Sequence, residues 1–144
     1  MQLWYIHKVG MVNLYPSGLV INPKCPWLGC SPDRKVFDIQ AANQNQNQFG
    51  LLEVKVVKEG ETDFNNVRYV NIDPVTQEKT LKMSDEYFYQ VQCQLALTGI
   101  EWCDFFSYMD DSKYFCQRIF LDKFFFQNSK DKVDQFFFNY FLKS

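Results

Sequence analysis

Histidine is nearly absent from this chain of 144 residues, because His7 is the only one. A catalytic triad of Ser, His and Asp, or a pair of Cys and His, would therefore depend on that single side chain as its base. The five cysteines are odd in number, irregularly spaced and without a CxxC pair, which argues against structural zinc. We expect them to stay reduced and to pack as small hydrophobic side chains.

Long apolar runs and an excess of one charge are also lacking. No segment has the roughly 18 apolar residues of a membrane-spanning helix, and the N-terminus lacks the basic start and apolar stretch of a signal peptide. Lys and Arg number 15 against 17 Asp and Glu, so no global field attracts the chain to nucleic acid. We expect a soluble, intracellular protein in a nuclear, viral or mobile-element setting, which would bind nucleic acid only through a local patch.

Material for a packed core is plentiful. Hydrophobic residues make up 47% of the chain, and 15 Phe and 8 Tyr raise its aromatic content to 18%. This composition excludes disorder as the main state. The length predicts one domain over residues 1–144.

The first half of the chain has the patterns of extended structure. Short apolar pieces broken by Pro and Gly between Ser17 and Asp38 predict strands and turns. The polar tract at residues 41–48 predicts a hairpin loop without function, and the apolar run at residues 49–57 predicts an inner strand. Residues 58–82 are polar and irregular, which predicts a long excursion that orders on binding a ligand.

The second half predicts a helix, two strands and a final helix. Ser84 is expected to cap a helix over Asp85 to Thr98, which Gly99 ends. Strands are expected at 103–108 and 114–121, and an aromatic helix after Asp122, which acts as its cap. The final helix is richer in Phe than one buried face requires, so we expect core packing against a neighbouring helix, with a subunit interface as the alternative. This order predicts an α+β or α/β fold with a central mixed sheet.

Three charged residues, Asp33, Glu53 and Lys55, form the informative constellation, with Gln90 behind them on the helix. Carboxylates from two adjacent strands, with the carbonyl of Val54, would give Mg²⁺ the oxygen ligands that it prefers. Lys55 shares a strand face with Glu53 and could orient or deprotonate a water and stabilise charge on a phosphate. The alternative is a solvated charge pair on a sheet edge. The apolar neighbours favour an inner strand, where an ion pair is costly unless it has a function.

The residues also resemble a known family. In order, the chain carries Ser31-Pro32-Asp33, then Leu52-Glu53-Val54-Lys55, then Tyr89-Gln90-Val91-Gln92. These motifs resemble the PD-(D/E)XK nuclease superfamily, and within it the branch of YqaJ viral recombinases and lambda-type exonucleases. The resemblance covers about Gly18 to Leu142 and implies a restriction-endonuclease-like core with a central mixed β-sheet flanked by helices.

The resemblance implies a DNA exonuclease that uses Mg²⁺ or Mn²⁺, digests linear duplex DNA from 5′ to 3′ and acts in recombination or end processing. Asp33 and Glu53 match the metal carboxylates, and Val54 matches the residue that ligates through its carbonyl. Lys55 matches the catalytic lysine, and Gln90 the helix glutamine beside the active site. Implied partners are duplex DNA, further copies of the chain in a ring-shaped trimer, and a single-strand annealing protein.

Several neighbours of these motifs have two interpretations. Ser31, Arg34 and Lys35 are predicted to bind DNA, with ordinary solvated surface as the alternative for the two basic residues. Trp27 and Tyr87 are expected to pack in the core rather than to stack on bases. Gln92 and Gln94 are expected to be lesser neighbours of the site. Asp38 and Asp104 are weaker candidates for additional ligands.

One departure from the family concerns the N-terminus. Family members carry a helical N-terminal region with an acidic residue that completes the metal site, whereas here about thirty residues precede Asp33 and no glutamate precedes Glu53. We therefore expect an N-terminally truncated nuclease-like domain. The alternatives are a catalytically inactive, nuclease-derived DNA-binding module, an endonuclease of the same superfamily, and an interaction protein assembled through its aromatic C-terminal helix.

Overall fold

The structure of the chain is a computed structural model that describes residues 5–6, 10–136 and 139. His7 and the aromatic residues at 137, 138, 140 and 141 lie outside the described residues. Among residues 5–6 and 10–136, no helix is long and apolar enough to cross a bilayer. In chain order the strands are β1 (Val12–Pro16), β2 (Val20–Asn22), β3 (Cys25–Cys30), β4 (Arg34–Asp38), β5 (Phe49–Val56), β6 (Val70–Ile72), β7 (Lys79–Leu81), β8 (Trp102–Asp110) and β9 (Lys113–Phe120), and the helices are α1 (Glu86–Thr98) and α2 (Lys123–Phe136).

A five-stranded mixed sheet forms the centre of the fold, in the order β1-β4-β5-β8-β9. Strands β5 and β8 are parallel, and the other neighbouring pairs are antiparallel. The parallel pair requires a crossover, which contains the ribbon β6-β7 and helix α1. The predicted α+β class with a central mixed sheet is confirmed, although the prediction missed β1, an edge strand that precedes Ser17.

Alternation along the strands gives the sheet two buried faces. On the α1 face, Leu51, Cys103 and Phe105 pack with Val91 and Leu95 of α1. On the opposite face, named here the network face, the buried core consists of Tyr5, Val12, Val36, Leu52, Trp102 and Phe106. The two faces therefore have separate cores, and an inward charge on either face has to be compensated locally.

Gly50 makes room for Trp102 on the network face. A Cβ atom added at Gly50 would lie 2.2 Å from the indole ring, which is far inside van der Waals contact. The indole nitrogen of Trp102 donates to the carbonyl of Asn47 at 2.6 Å. The glycine and the loop that precedes it therefore fix the largest side chain of this core.

Helix α1 begins one residue later than predicted. Asp85, not Ser84, is the N-cap: its backbone is extended and its side chain accepts a hydrogen bond from the amide of Tyr87. A carboxylate at this position also opposes the positive end of the helix dipole. Gly99 ends the helix in a left-handed conformation, with φ of 71°, as its sequence position predicted.

Two polar segments are more ordered than the sequence suggested. Residues 58–82 contain a short 3₁₀ turn at Phe64–Asn66 and the ribbon β6-β7, and they bury Phe64, Tyr69 and Leu81 in the core of the α1 face. The prediction of a segment that orders only on ligand binding was wrong, because it weighed the polar majority and not the few apolar residues. The tract 41–48 joins the antiparallel strands β4 and β5, which confirms the predicted hairpin loop, and its Gln46 accepts a hydrogen bond from Arg118.

Helix α2 packs against α1 through aromatic contacts. Phe125 lies 4.9 Å, between ring centroids, from both Phe88 and Tyr89, whereas Phe124 is 89% exposed. Asp122 accepts from the amide of Phe125 and caps α2 as predicted. Of the four described free thiols, only Cys103 is fully buried, and Cys116 is exposed, so the prediction that the cysteines serve packing is wrong for Cys116.

Candidate active site

Asp33 directly precedes β4 and contacts the neighbouring strand β5. The antiparallel pairing of β4 and β5 ends at Arg34 and Leu52, which leaves the main chain of Val54 without a strand partner on that side. The side chain of Asp33 takes this place, because its Oδ2 accepts a hydrogen bond from the Val54 amide at 2.8 Å. Since the N–H and C=O of a strand residue point to the same side, the Val54 carbonyl also faces Asp33.

Glu53 is buried on the α1 face, with only 3% of its surface exposed. Its Oε1 accepts from Lys55 Nζ at 2.9 Å and from Gln90 Nε2 at 3.0 Å, and its Oε2 accepts from Gln94 Nε2 at 3.0 Å. A carboxylate in the interior requires such donors, because burial removes the water that would otherwise stabilise its charge. The prediction that Glu53 and Lys55 share one face is confirmed.

Lys55 is the more accessible member of the ion pair, with 20% of its side chain exposed against 4% for Glu53. Its Nζ also donates to Gln90 Oε1 at 3.4 Å and lies 4.2 Å from the centroid of the Tyr87 ring. Gln90 therefore contacts both members of the pair, with its amide nitrogen on Glu53 and its amide oxygen facing Lys55. The ammonium group is held at the rim of the buried site.

Gln94 is a closer partner of Glu53 than its sequence position predicted. This side chain is fully buried, and its Oε1 has no hydrogen-bond partner among the described residues. A buried polar atom without a partner costs free energy, so the site has capacity for one more donor beside Glu53. Gln94 lies four residues after Gln90 and thus on the same helical face, and this shared face brings both amides to Glu53. Gln92 instead binds the main chain of Phe120 and Asp122, which joins α1 to the segment before α2.

The three predicted DNA-binding residues differ in exposure and in the side of the sheet that they face. Ser31 and Lys35 are exposed, whereas Arg34 is partly buried and donates to the carbonyl of Asp33 at 2.7 Å. Strand alternation in β4 puts Lys35 on the same side of the sheet as Glu53, and Arg34 on the other side. Tyr87 contacts Lys55 as well as the core, so core packing alone was an incomplete prediction for it. The side chain of Trp27 lies outside the described ones.

The donor set is suited to a hard divalent cation. Asp33 and Glu53 contribute carboxylates and Val54 a carbonyl, and Mg²⁺ prefers such oxygen ligands while keeping several waters. Within the described part of the chain, no three His, Cys, Asp or Glu side chains form a metal-binding group. A cation here would therefore need the carbonyl and water in addition to the two carboxylates.

A second charged cluster lies on the network face. It contains Asp38 and Asp104, the weaker candidates for metal ligands. Arg118 binds Asp104 through two hydrogen bonds, of 2.8 and 3.0 Å, and reaches Asp38 at 2.9 Å. Burial by itself lowers the pKa of Arg118. The hydrogen bonds and charges of Asp104 and Asp38 outweigh this effect and raise the pKa of Arg118 above its ordinary value. Tyr5 donates to Asp104 at 2.6 Å. Asp38 and Asp104 thus serve an internal ion-pair network.

The sequence model of the YqaJ-like viral recombinase domain matches residues 4–101, which contain Asp33, Glu53, Lys55 and Gln90. This chain belongs to that family. No curated protein sequence matches it. Among solved structures, it is similar to the alkaline exonuclease LHK-Exo from Laribacter hongkongensis, with 27% identity and a TM-score of 0.65. The complex of LHK-Exo with dAMP matches with 26% identity and a TM-score of 0.62.

Both matches cover 96% of this YqaJ-like chain but 61% of the exonuclease chain. The chain therefore spans about three fifths of the length of the solved enzymes that it resembles. The family and the fold follow from these matches, and the expectation of a restriction-endonuclease-like core of the YqaJ branch is confirmed.

Proposed function

We propose that this YqaJ-like chain is a metal-dependent DNA exonuclease that hydrolyses phosphodiester bonds of linear duplex DNA from the 5′ end. The observation that carries the proposal is the meeting of Asp33, Glu53, Lys55 and Gln90, which come from the bend before β4, from β5 and from α1, at one end of β5. The resemblance to an alkaline exonuclease, once in complex with dAMP, supports DNA as the substrate.

Asp33, Glu53 and the carbonyl of Val54 would hold Mg²⁺ or Mn²⁺. When bound, such a cation polarises the phosphoryl oxygens and stabilises the negative charge that develops on them. In the interior, Glu53 accepts hydrogen bonds from Lys55, Gln90 and Gln94, which replace the water that burial removes. These contacts also fix the direction of its two oxygens.

Lys55 has two proposed roles at the rim of the site. As an ammonium group it can stabilise the charge on the scissile phosphate and orient the attacking water. To take up the proton of that water it would first have to be the neutral amine. Gln90, which contacts Glu53 and Lys55 at once, keeps the two groups in a fixed relation. Lys35, exposed on the same side of the sheet, is the proposed phosphate contact of the incoming strand.

The proposal is tested with end-labelled linear duplex DNA and Mg²⁺, in parallel with EDTA and with the variant Lys55→Ala. We expect release of labelled mononucleotides from the 5′ strand, lost with EDTA and reduced about a thousandfold or more by the variant. Lys132→Ala, at an exposed lysine of α2, is the matched control and should keep the wild-type rate.

Other outcomes would redirect the proposal. Cleavage of a closed circular duplex would identify an endonuclease. A folded protein that binds DNA in a salt-sensitive way without cutting it would identify an inactive, nuclease-derived module. Turnover by Lys55→Ala at the wild-type rate would remove the lysine from the mechanism. We further propose, as the resemblance implies, a ring-shaped trimer of this chain and a single-strand annealing protein as its partner. Sedimentation and a pull-down with such a protein would test the two proposals.

A further inference from the structure

The ring of Tyr87 borders the charged site without being part of its ion pair. Lys55 Nζ lies 4.2 Å from the ring centroid, well within the roughly 6 Å over which an ammonium and an aromatic face attract each other. Glu53 Oε1 approaches the same nitrogen at 2.9 Å and Gln90 Oε1 at 3.4 Å. The ammonium is thus enclosed by a carboxylate, an amide oxygen and a ring face.

The ring has a fixed position of its own. The amide of Tyr87 donates to the N-cap Asp85, and its ring meets Tyr69 edge-on at a centroid distance of 5.1 Å. Phe105 of β8 lies 6.4 Å away, and the guanidinium of Arg68 lies 5.2 Å from the same ring. A helix cap, two aromatic neighbours and a second cation therefore determine where this ring lies.

A lysine needs such support more than a shorter side chain does. Its flexible four-carbon stem loses rotamer entropy when it is held in one position, and at 20% exposure water competes for the ammonium. Tyr87 lies three residues before Gln90, so the helical turn that carries the glutamine to Glu53 also carries the ring to Lys55. One helix end thereby sets both contacts.

We propose that Tyr87 is a positioning residue for Lys55, with a ring face that holds the ammonium against Glu53 by cation–π attraction. The consequence for turnover rests on the proposed function, whereas the contact itself does not. If Tyr87 only filled space in the core, its volume alone would matter. Attraction of the Lys55 ammonium instead depends on the electron density of the ring face.

The contact is tested first by NMR of the protein labelled at lysine, which requires no activity. A proton above an aromatic face is shifted upfield, so the ε-methylene of Lys55, assigned by its loss in Lys55→Ala, should lie upfield of the other lysines. Tyr87→Phe should keep this shift and Tyr87→Leu should lose it. Tyr89→Leu, which removes a ring of the same helix that contacts Phe125, is the matched control and should keep it. A Lys55 resonance among the ordinary lysines of the wild type would overturn the proposal.

The role in turnover is tested by kinetics of the same variants. We expect Tyr87→Phe to keep the rate and Tyr87→Leu to lower kcat about tenfold with KM little changed, the size of a partly desolvated cation–π contact. If Tyr87→Leu does not fold, mono-, di- and trifluorinated phenylalanine at position 87 keep the volume and reduce the ring's electron density stepwise. The proposal requires kcat to fall along that series, and a flat series would contradict it. An inactive wild type would refute the proposed function and leave the NMR result to decide on the contact.

Discussion

The two faces of the sheet bury charged side chains in different ways. On the network face, Arg118 has a partner at each of its three nitrogens, and its guanidinium stacks 3.6 Å from the Trp102 ring. On the α1 face, Lys55 is partly exposed, and the buried Gln94 retains an oxygen with no partner among the described residues. A saturated network can only hold its elements together, whereas an unsaturated one can accept a ligand.

The largest difference between the two faces is expected when one carboxylate on each face is replaced by an amide. Glu53→Gln should lower turnover about a thousandfold, because it removes a ligand charge and the partner of Lys55. Its stability should change by only about 1 kcal/mol, since the partly exposed Lys55 can turn to water. Nuclease assays and urea unfolding measure the two effects, and calorimetry should show that metal binding weakens.

Asp104→Asn is the matched variant on the network face. It should lower stability by about 3 kcal/mol, because Arg118 and Tyr5 lose a buried acceptor, and it should leave the rate per folded molecule unchanged. If both variants lost rate and stability alike, the functional distinction between the faces would be wrong.

The next largest effect is expected when the buried cation Arg118 is removed. Arg118→Met should cost about 3–5 kcal/mol in the free energy of unfolding, because Asp38 and Asp104 would then be buried without their counter-charge. Arg68→Met, at an arginine whose side chain is 59% exposed, should cost about 1 kcal/mol or less. Chemical denaturation compares the two, and similar losses would show that the network contributes no more than a surface pair.

Gly50→Ala tests the packing beneath the network. The added methyl group would collide with the Trp102 ring, so we expect a loss of about 1–3 kcal/mol as the ring shifts away from Arg118. Gly18→Ala is the control, since a Cβ there would meet nothing within 4 Å. Thermal unfolding distinguishes them, and equal melting temperatures would mean that the ring accommodates the methyl group freely.

The smallest expected effect is a dependence on alkaline pH. Burial, followed by the charge of Asp104, raises the pKa of Tyr5 above its ordinary value of 10.0. The folded state therefore keeps the phenol proton after the unfolded state has lost it, and the stability from this group falls as the pH rises above 10. Tyr5→Phe should flatten that fall by about 1.4 kcal/mol per pH unit.

The same substitution should cost about 1–2 kcal/mol at neutral pH through the lost hydrogen bond to Asp104. Tyr15→Phe, at a tyrosine that is 48% exposed, provides the comparison and should follow the wild type throughout. Parallel stability curves for wild type and Tyr5→Phe above pH 10 would contradict the assignment.

Prediction from the sequence succeeded where neighbours along the chain carry the information. The spacing of Glu53 and Lys55 placed them on one strand face, and Gly99 marked the end of a helix. It failed for the segment 58–82, where five buried aromatic or aliphatic residues outweigh a polar majority. The cap position was also missed, because Ser84 and Asp85 are both good caps and only the helix geometry selects between them.

The sequence alone predicted the mixed α+β layout and the shared strand face of Glu53 and Lys55, since strand alternation and helix periodicity depend on local patterns. The family motifs added Asp33 and Gln90 to the predicted site. Only the tertiary structure decided that β4 begins directly after Asp33, which can therefore bind the Val54 amide, and that Tyr5 meets Asp104, 99 residues away. It also decided that Gln94 and Tyr87 join the site. Strand order and register are set by the competition of all buried groups for partners, which no local pattern records.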